Sequence, residues 1–279
     1  MPELPEIETI RLALNKKIIG KKITGIEILF KKQFIGDKEN ILGQKIIKLL
    51  RAGKVLSIKL SNGKYLNFHL KLSGQIMYAE DIHRANYKYP ISLTGGATKL
   101  PASSTRVIIR FSDKSGLFFN ESRKFGWVKV TDKQEIQKGL DILSPDFTLD
   151  YFRKKLNSNR QIKVILMDQD RFAGIGNIYA NESLFDANIS PEISASKLAI
   201  EQSNHLFKSI VNVIKHAIKH NGSSGKDNVY ILPDGSAGEY QYHFLVYQQE
   251  GKPCIRCKTL IKRIKQARRS SYYCPKCQK

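Results

Sequence analysis

Two places in this 279-residue sequence have residue types and spacing that can do chemistry: the start, Met1-Pro2-Glu3, and the last 26 residues, which hold all four cysteines. A small second residue permits removal of the initiator Met, which exposes the secondary amine of Pro2. An α-amino group with a pKa of about 7.7–8 is partly neutral near pH 7 and is therefore nucleophilic, unlike an ordinary Lys. Such an amine attacks an electrophilic carbon and leaves an iminium, and Glu3 beside it can move protons. By itself a Pro-Glu start is an ordinary one, so this reading needs support from the rest of the chain. The cysteines read Cys254-Ile255-Arg256-Cys257 and Cys274-Pro275-Lys276-Cys277, two C-x2-C pairs separated by 16 residues. Two close thiolate pairs can close a tetrahedron around one structural zinc ion, as in zinc ribbons. The alternative, two disulfides, needs an oxidising compartment that nothing else in the chain supports. The segment between the pairs is long enough for a β-hairpin with its turn near the middle. Residues 252–279 hold ten Lys or Arg and no acid, so a metal-pinned hairpin would carry concentrated positive charge to a phosphate backbone or groove.

The whole chain shares that bias. Lys plus Arg total 47 against 25 Asp plus Glu, a formal charge of +22, which points to a polyanionic partner and away from most soluble metabolic enzymes. With 41% hydrophobic and 26% charged residues, the chain has material for one large or two modest cores and is too mixed for disorder. No apolar run reaches membrane-spanning length, and the N-terminus lacks the basic start and apolar stretch of a signal peptide. The expectation is a cytoplasmic protein without a membrane partner.

The elements that must position these groups are legible in the patterning. Pro5 suits a first helical turn, Glu6 and Glu8 favour its positive end, and Ile7, Ile10 or Arg11, and Leu14 share one face. Strand patterns cover Ile23–Phe30, Val55–Leu60, Tyr65–Leu70, Val107–Phe111 and Leu117–Phe119, with Asn62-Gly63 and Asp113–Gly116 as turns, which describes antiparallel hairpins stacked as a sandwich. From about Pro145 the period is helical, and Leu206, Ile210, Val213, Ile214 and Ala217 form a stripe that stops at Asn221-Gly222. Residues 222–243 read as a long loop, and 84–104 as an irregular insertion broken by Pro90, Gly95, Gly96 and Pro101. Gly174-Ile175-Gly176 ahead of a helix start lets phosphate approach backbone N–H groups, with Asn177 as either a phosphate ligand or a helix N-cap.

The string Met1-Pro2-Glu3-Leu4-Pro5-Glu6-Ile7-Glu8-Thr9 resembles the opening of the formamidopyrimidine-DNA glycosylases, bacterial enzymes that remove oxidised purines. Further motifs follow in the family's order: Arg51-Ala52-Gly53-Lys54, His69-Leu70-Lys71-Leu72-Ser73-Gly74, Arg123-Lys124-Phe125-Gly126, Gly174 to Glu182 (GIGNIYANE) and Arg268 to Lys279. The resemblance spans essentially the whole chain. It implies an α+β fold: an N-terminal antiparallel β-sandwich with flanking helices (1–135), a helical domain with a helix-two-turn-helix element (136–222), a loop that closes over an everted base (223–245), and a zinc-finger β-hairpin (246–279).

It also implies roles. Pro2 would be the nucleophile at the sugar C1′, Glu3 the acid/base that opens the sugar, and Lys54 the active-site lysine, which standing alone would read as a surface lysine at a strand start. Asn177 and Arg269 would grip the phosphate flanking the lesion, Arg268 being the weaker candidate. Lys163 and the loop tyrosine Tyr240 join the implied DNA contacts. His69 is either a phosphate contact or a satisfied histidine at a strand end. Because a flipped nucleotide leaves a gap, the resemblance assigns Leu72, Arg123 and Phe125 to fill it, core packing being the plain alternative for Leu72 and Phe125. The sequence departs from the family at Lys71 (usually Gly), Leu72 (usually Met) and Glu121-Ser122 (usually Asp-Pro), which bears on lesion search and opposite-base preference more than on the chemistry. The expected activity is a monomeric glycosylase/AP lyase acting on duplex DNA that contains oxidised bases or abasic sites. The alternatives are an oxidised-pyrimidine glycosylase of the endonuclease VIII type, which usually has Gly where Leu4 stands, and a non-catalytic damaged-DNA-binding protein.

Overall fold

Pro5 in the first turn and Glu6 near the positive end open α1 (Leu4–Ile18), and Ile7, Ile10, Leu14 and Ile18 fall three or four apart on one fully buried face. Gly20, at φ +82°, takes the left-handed conformation that ends the helix. The computed structural model describes residues 2–87, 98–225 and 229–279. The chain divides into two units, Met1–Ile136 with His220–Gln241, and Gln137–Lys219 with Tyr242–Lys279.

In the first unit α1 is followed by β1 (Ile23–Ile28), β2 (Phe34–Ile35), β3 (Ile46–Ala52), β4 (Val55–Leu60), β5 (Tyr65–His69), β6 (Gln75–Ala79), β7 (Thr105–Phe111), β8 (Gly116–Asn120) and β9 (Trp127–Thr131). Among the described residues they form a four-stranded sheet in the order β1-β7-β8-β6 and a five-stranded sheet in the order β2-β9-β5-β4-β3. All pairings are antiparallel except β2 with β9, where Phe34 meets Val128 in parallel register, a correction to a purely antiparallel expectation. One core joins the two sheets: Leu56, Ile58, Leu66 and Phe68 from one meet Ile76, Val107, Leu117 and Phe119 from the other, under α1. Phe68 and Phe119 meet edge to face across it, centroids 6.1 Å apart.

Strands β2, β3, β6 and β9 escape the sequence reading, and β6 shows why. All five residues of β6 are buried, so the hydrophobic alternation of a half-buried strand is absent. Its outer face is covered by Ala85, Tyr87 and Leu100 of the irregular insertion together with Ile231, while insertion residues 88–97 lie outside the described residues. Within the expected long loop, Tyr230, Ile231 and Leu232 are core residues of this unit, although 226–228 lie outside the described residues. That apolar triplet was the available signal.

The second unit contains β10 (Leu140–Asp141), α2 (Leu149–Lys155), α3 (Ile162–Leu166), β11 (Phe172–Ala173), α4 (Asn177–Asp186), α5 (Ile200–Lys219) and the hairpin β12 (Lys262–Gln266) and β13 (Arg269–Tyr273). The stripe Leu206, Ile210, Val213, Ile214 and Ala217 is buried as expected. Phe147, Phe152, Phe172 and Phe207 form an aromatic cluster with centroids 5.1–6.2 Å apart. Among the described residues no helix is long and apolar enough to cross a membrane.

Candidate active site and nucleic-acid interface

Glu3 caps α1 and is 1% exposed, and Pro2 before it is also buried. Met1 lies outside the described residues, so its removal is an expectation carried by the sequence alone. The Glu3 amide donates to the Glu6 carboxylate at 2.7 Å, and the same carboxylate accepts the Ser223 amide at 2.8 Å. Glu6 thus fastens the N-terminus to the start of the long loop, and sequence reasoning had given it only a helix-end role. A side chain at Gly222 would meet Glu6 Oε1 at 2.7 Å, and φ there is +70°, so only glycine suits this close approach. Tyr230 completes the corner, its hydroxyl donating to the Asn221 carbonyl at 3.1 Å. Burial and the Glu6 charge hold that phenol protonated, well above the ordinary range.

Lys54 sits on the turn between β3 and β4, 7% exposed, and a charge network ties this turn to α1. Arg51 donates through Nε to Glu8 at 2.9 Å and through a terminal nitrogen to the Gly53 carbonyl at 3.1 Å. Arg11 donates to the same Glu8 carboxylate at 2.6 Å. Burial works to raise the Glu8 pKa, but the Arg11 hydrogen bond and the Arg51 charge overcome it and hold the carboxyl below its usual value of 4.5. Its stabilisation is therefore complete above about pH 4.5 and is lost as the pH falls through the lowered folded value. Glu8→Gln should cost roughly 2 kcal/mol at pH 7, in the range for charged hydrogen bonds, and should flatten the acid side of the stability profile in chemical denaturation. An unchanged profile would refute this account of the network.

His69 ends β5 and leans on Trp127, ring centroids 5.6 Å apart. Burial first, then the charges of Lys71, Lys54 and Lys129, push its pKa down to about 3. Nδ1 accepts the Lys71 amide at 3.0 Å, so the neutral ring carries its proton on Nε2, a donor suited to a phosphate oxygen. The unfolded chain binds a proton at this position between about pH 6.5 and 3 and the folded one does not, so stability falls on acidification through that window. His69→Gln should remove this part of the slope in denaturation measured from pH 7 to 4, and a slope identical to the parent would exclude it. Lys71 itself sits at φ +51°, the left-handed region open to glycine without strain, and lysine there costs about 1 kcal/mol.

Leu72 is half-buried, while Arg123 and Phe125 are exposed. Phe125 is 59% exposed, a poor fit to the core-packing alternative, and the Arg123 guanidinium lies over its ring at 5.6 Å. Tyr240 differs from a loop tyrosine offered to a base: it is 3% exposed, its amide donating to the Gly222 carbonyl at 2.9 Å.

In the second unit Gly176, not Asn177, caps α4, which removes the N-cap reading of Asn177. The Asn177 Oδ1 is buried and has no partner among the described residues. The tight entry to α4 is held by Gln169, which accepts the Gly174 amide at 3.0 Å and donates to the Ile175 carbonyl at 2.6 Å. Lys163 requires a correction. It is 1% exposed, and its Nζ donates to the Ser270 carbonyl at 2.7 Å and the Ser271 hydroxyl at 2.6 Å. A buried ammonium spent on the hairpin braces Arg269 and is not presented to a ligand. Arg269 is exposed at the tip, where Ala267 and Arg268 form the turn with φ of +44° and +63°.

Two residues of the GIGNIYANE stretch do work that the sequence did not disclose. Asn181 Oδ1 accepts the Tyr272 amide of β13 at 2.7 Å. Glu182 accepts the amides of Leu245, Val246 and Tyr247 at 2.8–3.1 Å, so α4 carries both Asn177 and the root of the hairpin. The four thiol sulfurs lie within 4.8 Å of one another, with Cys254 to Cys277 at 3.9 Å and Cys257 to Cys274 at 3.4 Å. Zn–S bonds of about 2.3 Å at tetrahedral angles require S···S near 3.8 Å, so the donor set fits a structural zinc. The Pro2, Glu3, Lys54, His69, Leu72, Arg123, Phe125 and Tyr240 positions belong to the first unit, and Lys163, Asn177, Arg269 and the cysteines to the second.

Residues 1–128 match the formamidopyrimidine-DNA glycosylase N-terminal domain and residues 139–228 its H2TH domain. The chain belongs to the formamidopyrimidine-DNA glycosylase family. Residues 251–279 further match the zinc finger found in FPG and IleRS, consistent with the thiol geometry. A formamidopyrimidine-DNA glycosylase of Pelotomaculum thermopropionicum is 38% identical over 292 aligned positions, covering 100% of this chain and 99% of the relative. Among solved structures, a Lactococcus lactis Fpg bound to abasic-site DNA is 31% identical with a TM-score of 0.85 over 99% of both chains. A mutant of that enzyme bound to Fapy-dG containing DNA is 31% identical with a TM-score of 0.86 over 100% of both. This family member therefore has the fold and zinc-finger module of a DNA glycosylase that binds damaged DNA.

Proposed function

We propose that the protein is a bifunctional glycosylase and AP lyase that excises oxidised purines, 8-oxoguanine and formamidopyrimidines, from duplex DNA in base excision repair. The observation that carries this reading is the Glu6 carboxylate, which receives the Glu3 amide and the Ser223 amide together. A nucleophile at the N-terminus and a loop able to close over an everted base are thereby held at one corner. The Pro2 nitrogen attacks C1′ as the glycosidic bond breaks, and the base leaves with a proton. Glu3 protonates the ring oxygen as the sugar opens to an iminium. The iminium acidifies the C2′ proton, so its loss expels the 3′ phosphate, and a second elimination expels the 5′ phosphate. Lys54 and the Nε2–H of His69 face phosphate, Leu72, Arg123 and Phe125 occupy the vacated stack, and Asn177 and Arg269 hold the flanking phosphate. Tyr240 supports the closing loop from beneath, and Lys163 supports Arg269. One zinc ion held by Cys254, Cys257, Cys274 and Cys277 fixes the hairpin. The working form is a cytoplasmic monomer, nucleoid-associated when bound to DNA. Functionally, 1–135 supplies catalysis, 136–222 the helix-two-turn-helix, 223–245 base closure and 246–279 the zinc hairpin.

Borohydride trapping tests the reading with duplexes carrying 8-oxoguanine opposite cytosine, an oxidised pyrimidine, or an abasic site. A covalent adduct with the first and third is expected. Preference for the oxidised pyrimidine would transfer the protein to the endonuclease VIII type, and binding without any adduct would leave a non-catalytic damage binder.

A further inference from the structure

Between the two segments that carry Leu72 and Arg123 to Phe125 lies a carboxylate with no solvent exposure, Glu121. Its Oε1 accepts the Ser73 hydroxyl and, at 3.0 Å, the Arg123 amide. Its Oε2 accepts the Phe125 amide at 2.5 Å, the Gly126 amide at 3.1 Å and the Gln33 side-chain amide at 3.4 Å. Gln33, itself 2% exposed, also donates to the Gly126 carbonyl at 2.7 Å. The chain wraps the carboxylate through Lys124 at φ +60°. It also needs glycine at 126, where a side chain would meet Glu121 Cγ and the His69 carbonyl, each at 3.0 Å. The Ser73 hydroxyl is the only donor of this set from the Leu72 segment, so the carboxylate joins two segments far apart in sequence. Without proline at 122, that stretch of backbone has more freedom to lose on ordering, and the extra carboxylate reach at 121 supplies the restraint.

We infer that Glu121 is a positioning residue that joins the Leu72 segment and the Arg123 to Phe125 segment into one insertion wedge, and so governs eversion of paired lesions and discrimination of the opposite base. The inference rests on the proposed function. It extends that function from the side chains that enter the duplex to the buried group that sets their spacing. A side chain that must enter a base stack tolerates little misplacement, and an error of about 1 Å can cost up to a hundredfold in rate. Glu121→Gln turns one acceptor oxygen into a donor facing donors. Ser73→Ala cuts only the side-chain tie between the segments, whose ends stay paired at His69–Trp127 and Gln75–Asn120, and leaves the three backbone amides satisfied.

Single-turnover excision of 8-oxoguanine opposite cytosine should fall by roughly ten- to a hundredfold in Glu121→Gln and by about tenfold in Ser73→Ala. The preference for cytosine over adenine opposite the lesion should shrink in both. Adduct trapping at a preformed abasic site, where there is no base to unstack, should change by less than about threefold. Glu121→Asp, which keeps the charge but shortens the reach, should recover only part of the excision rate. A fluorescent base analogue beside the lesion should report slowed unstacking in the same variants. Equal losses on the paired lesion and on the abasic site would overturn the inference in favour of a merely structural role, as would unchanged excision and unchanged discrimination in Ser73→Ala. Failure of the unsubstituted protein to form any adduct would instead overturn the proposed function on which the inference stands.

Discussion

Replacing Pro2 with glycine is expected to lower excision and strand cleavage at 8-oxoguanine by roughly a thousandfold, about 4 kcal/mol of transition-state stabilisation. Glycine leaves an α-amine in place, so the loss reports what the ring contributes. An iminium formed on a secondary amine has no N–H proton to lose. It stays positively charged and continues to draw electrons from C2′ through both eliminations. The imine formed on glycine can deprotonate to a neutral species that is a poor electron sink. The ring also fixes the direction of the nitrogen, since Pro2 is buried immediately before the Glu3 cap. Burst kinetics with single-turnover excess of enzyme, paired with borohydride trapping, would measure both effects. Cleavage at the parental rate in a verified Pro2→Gly protein would refute this account of the ring, and a parent protein that forms no trapped adduct would remove the N-terminal amine from the mechanism. N-terminal mass analysis is the companion measurement, because a retained Met1 converts the amine into an amide.

Removal of zinc should lower affinity for damaged duplex by about a hundredfold while leaving the first unit folded. The sulfurs are the principal closure at the base of the hairpin, where Cys254 and Cys274 are buried with Phe185, Val246 and Ile261. Without the ion four thiols must be accommodated in a space shaped for a tetrahedron, and metal binding in such modules is itself folding free energy. The brace from Lys163 to Ser270 and Ser271 and the clasp from Asn181 to Tyr272 act on β13. They cannot by themselves hold the separate Cys254–Cys257 knuckle. Losing the hairpin's phosphate contacts should also make the dependence of log affinity on log salt shallower. Chelation followed by fluorescence anisotropy at several salt concentrations, with near-UV circular dichroism on the sandwich, tests this. Unchanged affinity after verified zinc loss would refute it, and Cys274→Ala should reproduce the chelated state.

The chemistry-bearing residues were the most legible part of the molecule, because their signals are local. A proline at position 2 and two C-x2-C pairs are visible without any fold, and α1, β4 and the stripe on α5 follow from period alone. What stayed hidden depends on partners distant in sequence. Glu6 reads as a helix-end acid, and its service to Ser223 requires knowing where residue 223 returns. The resemblance places Lys163 among the DNA contacts, and only its burial against Ser270 and Ser271 shows it bound to the hairpin. Tyr240 sits in a polar stretch and is nonetheless buried. Strand β6 lacked the alternation that marks a strand because the insertion after it covers the face that solvent would otherwise meet.

The return of residues 220–241 to the first unit also sets the order in which the protein can be made. Tyr230, Ile231 and Leu232 supply apolar side chains to that unit's core and outer sheet face. A nascent chain that has released only Met1–Ile136 therefore lacks part of what completes it. On the ribosome the sandwich must wait, with apolar surface uncovered, until the whole of Gln137–Lys219 and the segment beyond it have emerged. The long sequence separation of those contacts slows closure. A truncation at residue 136 should accordingly bind a hydrophobic dye and aggregate, whereas the full chain should not.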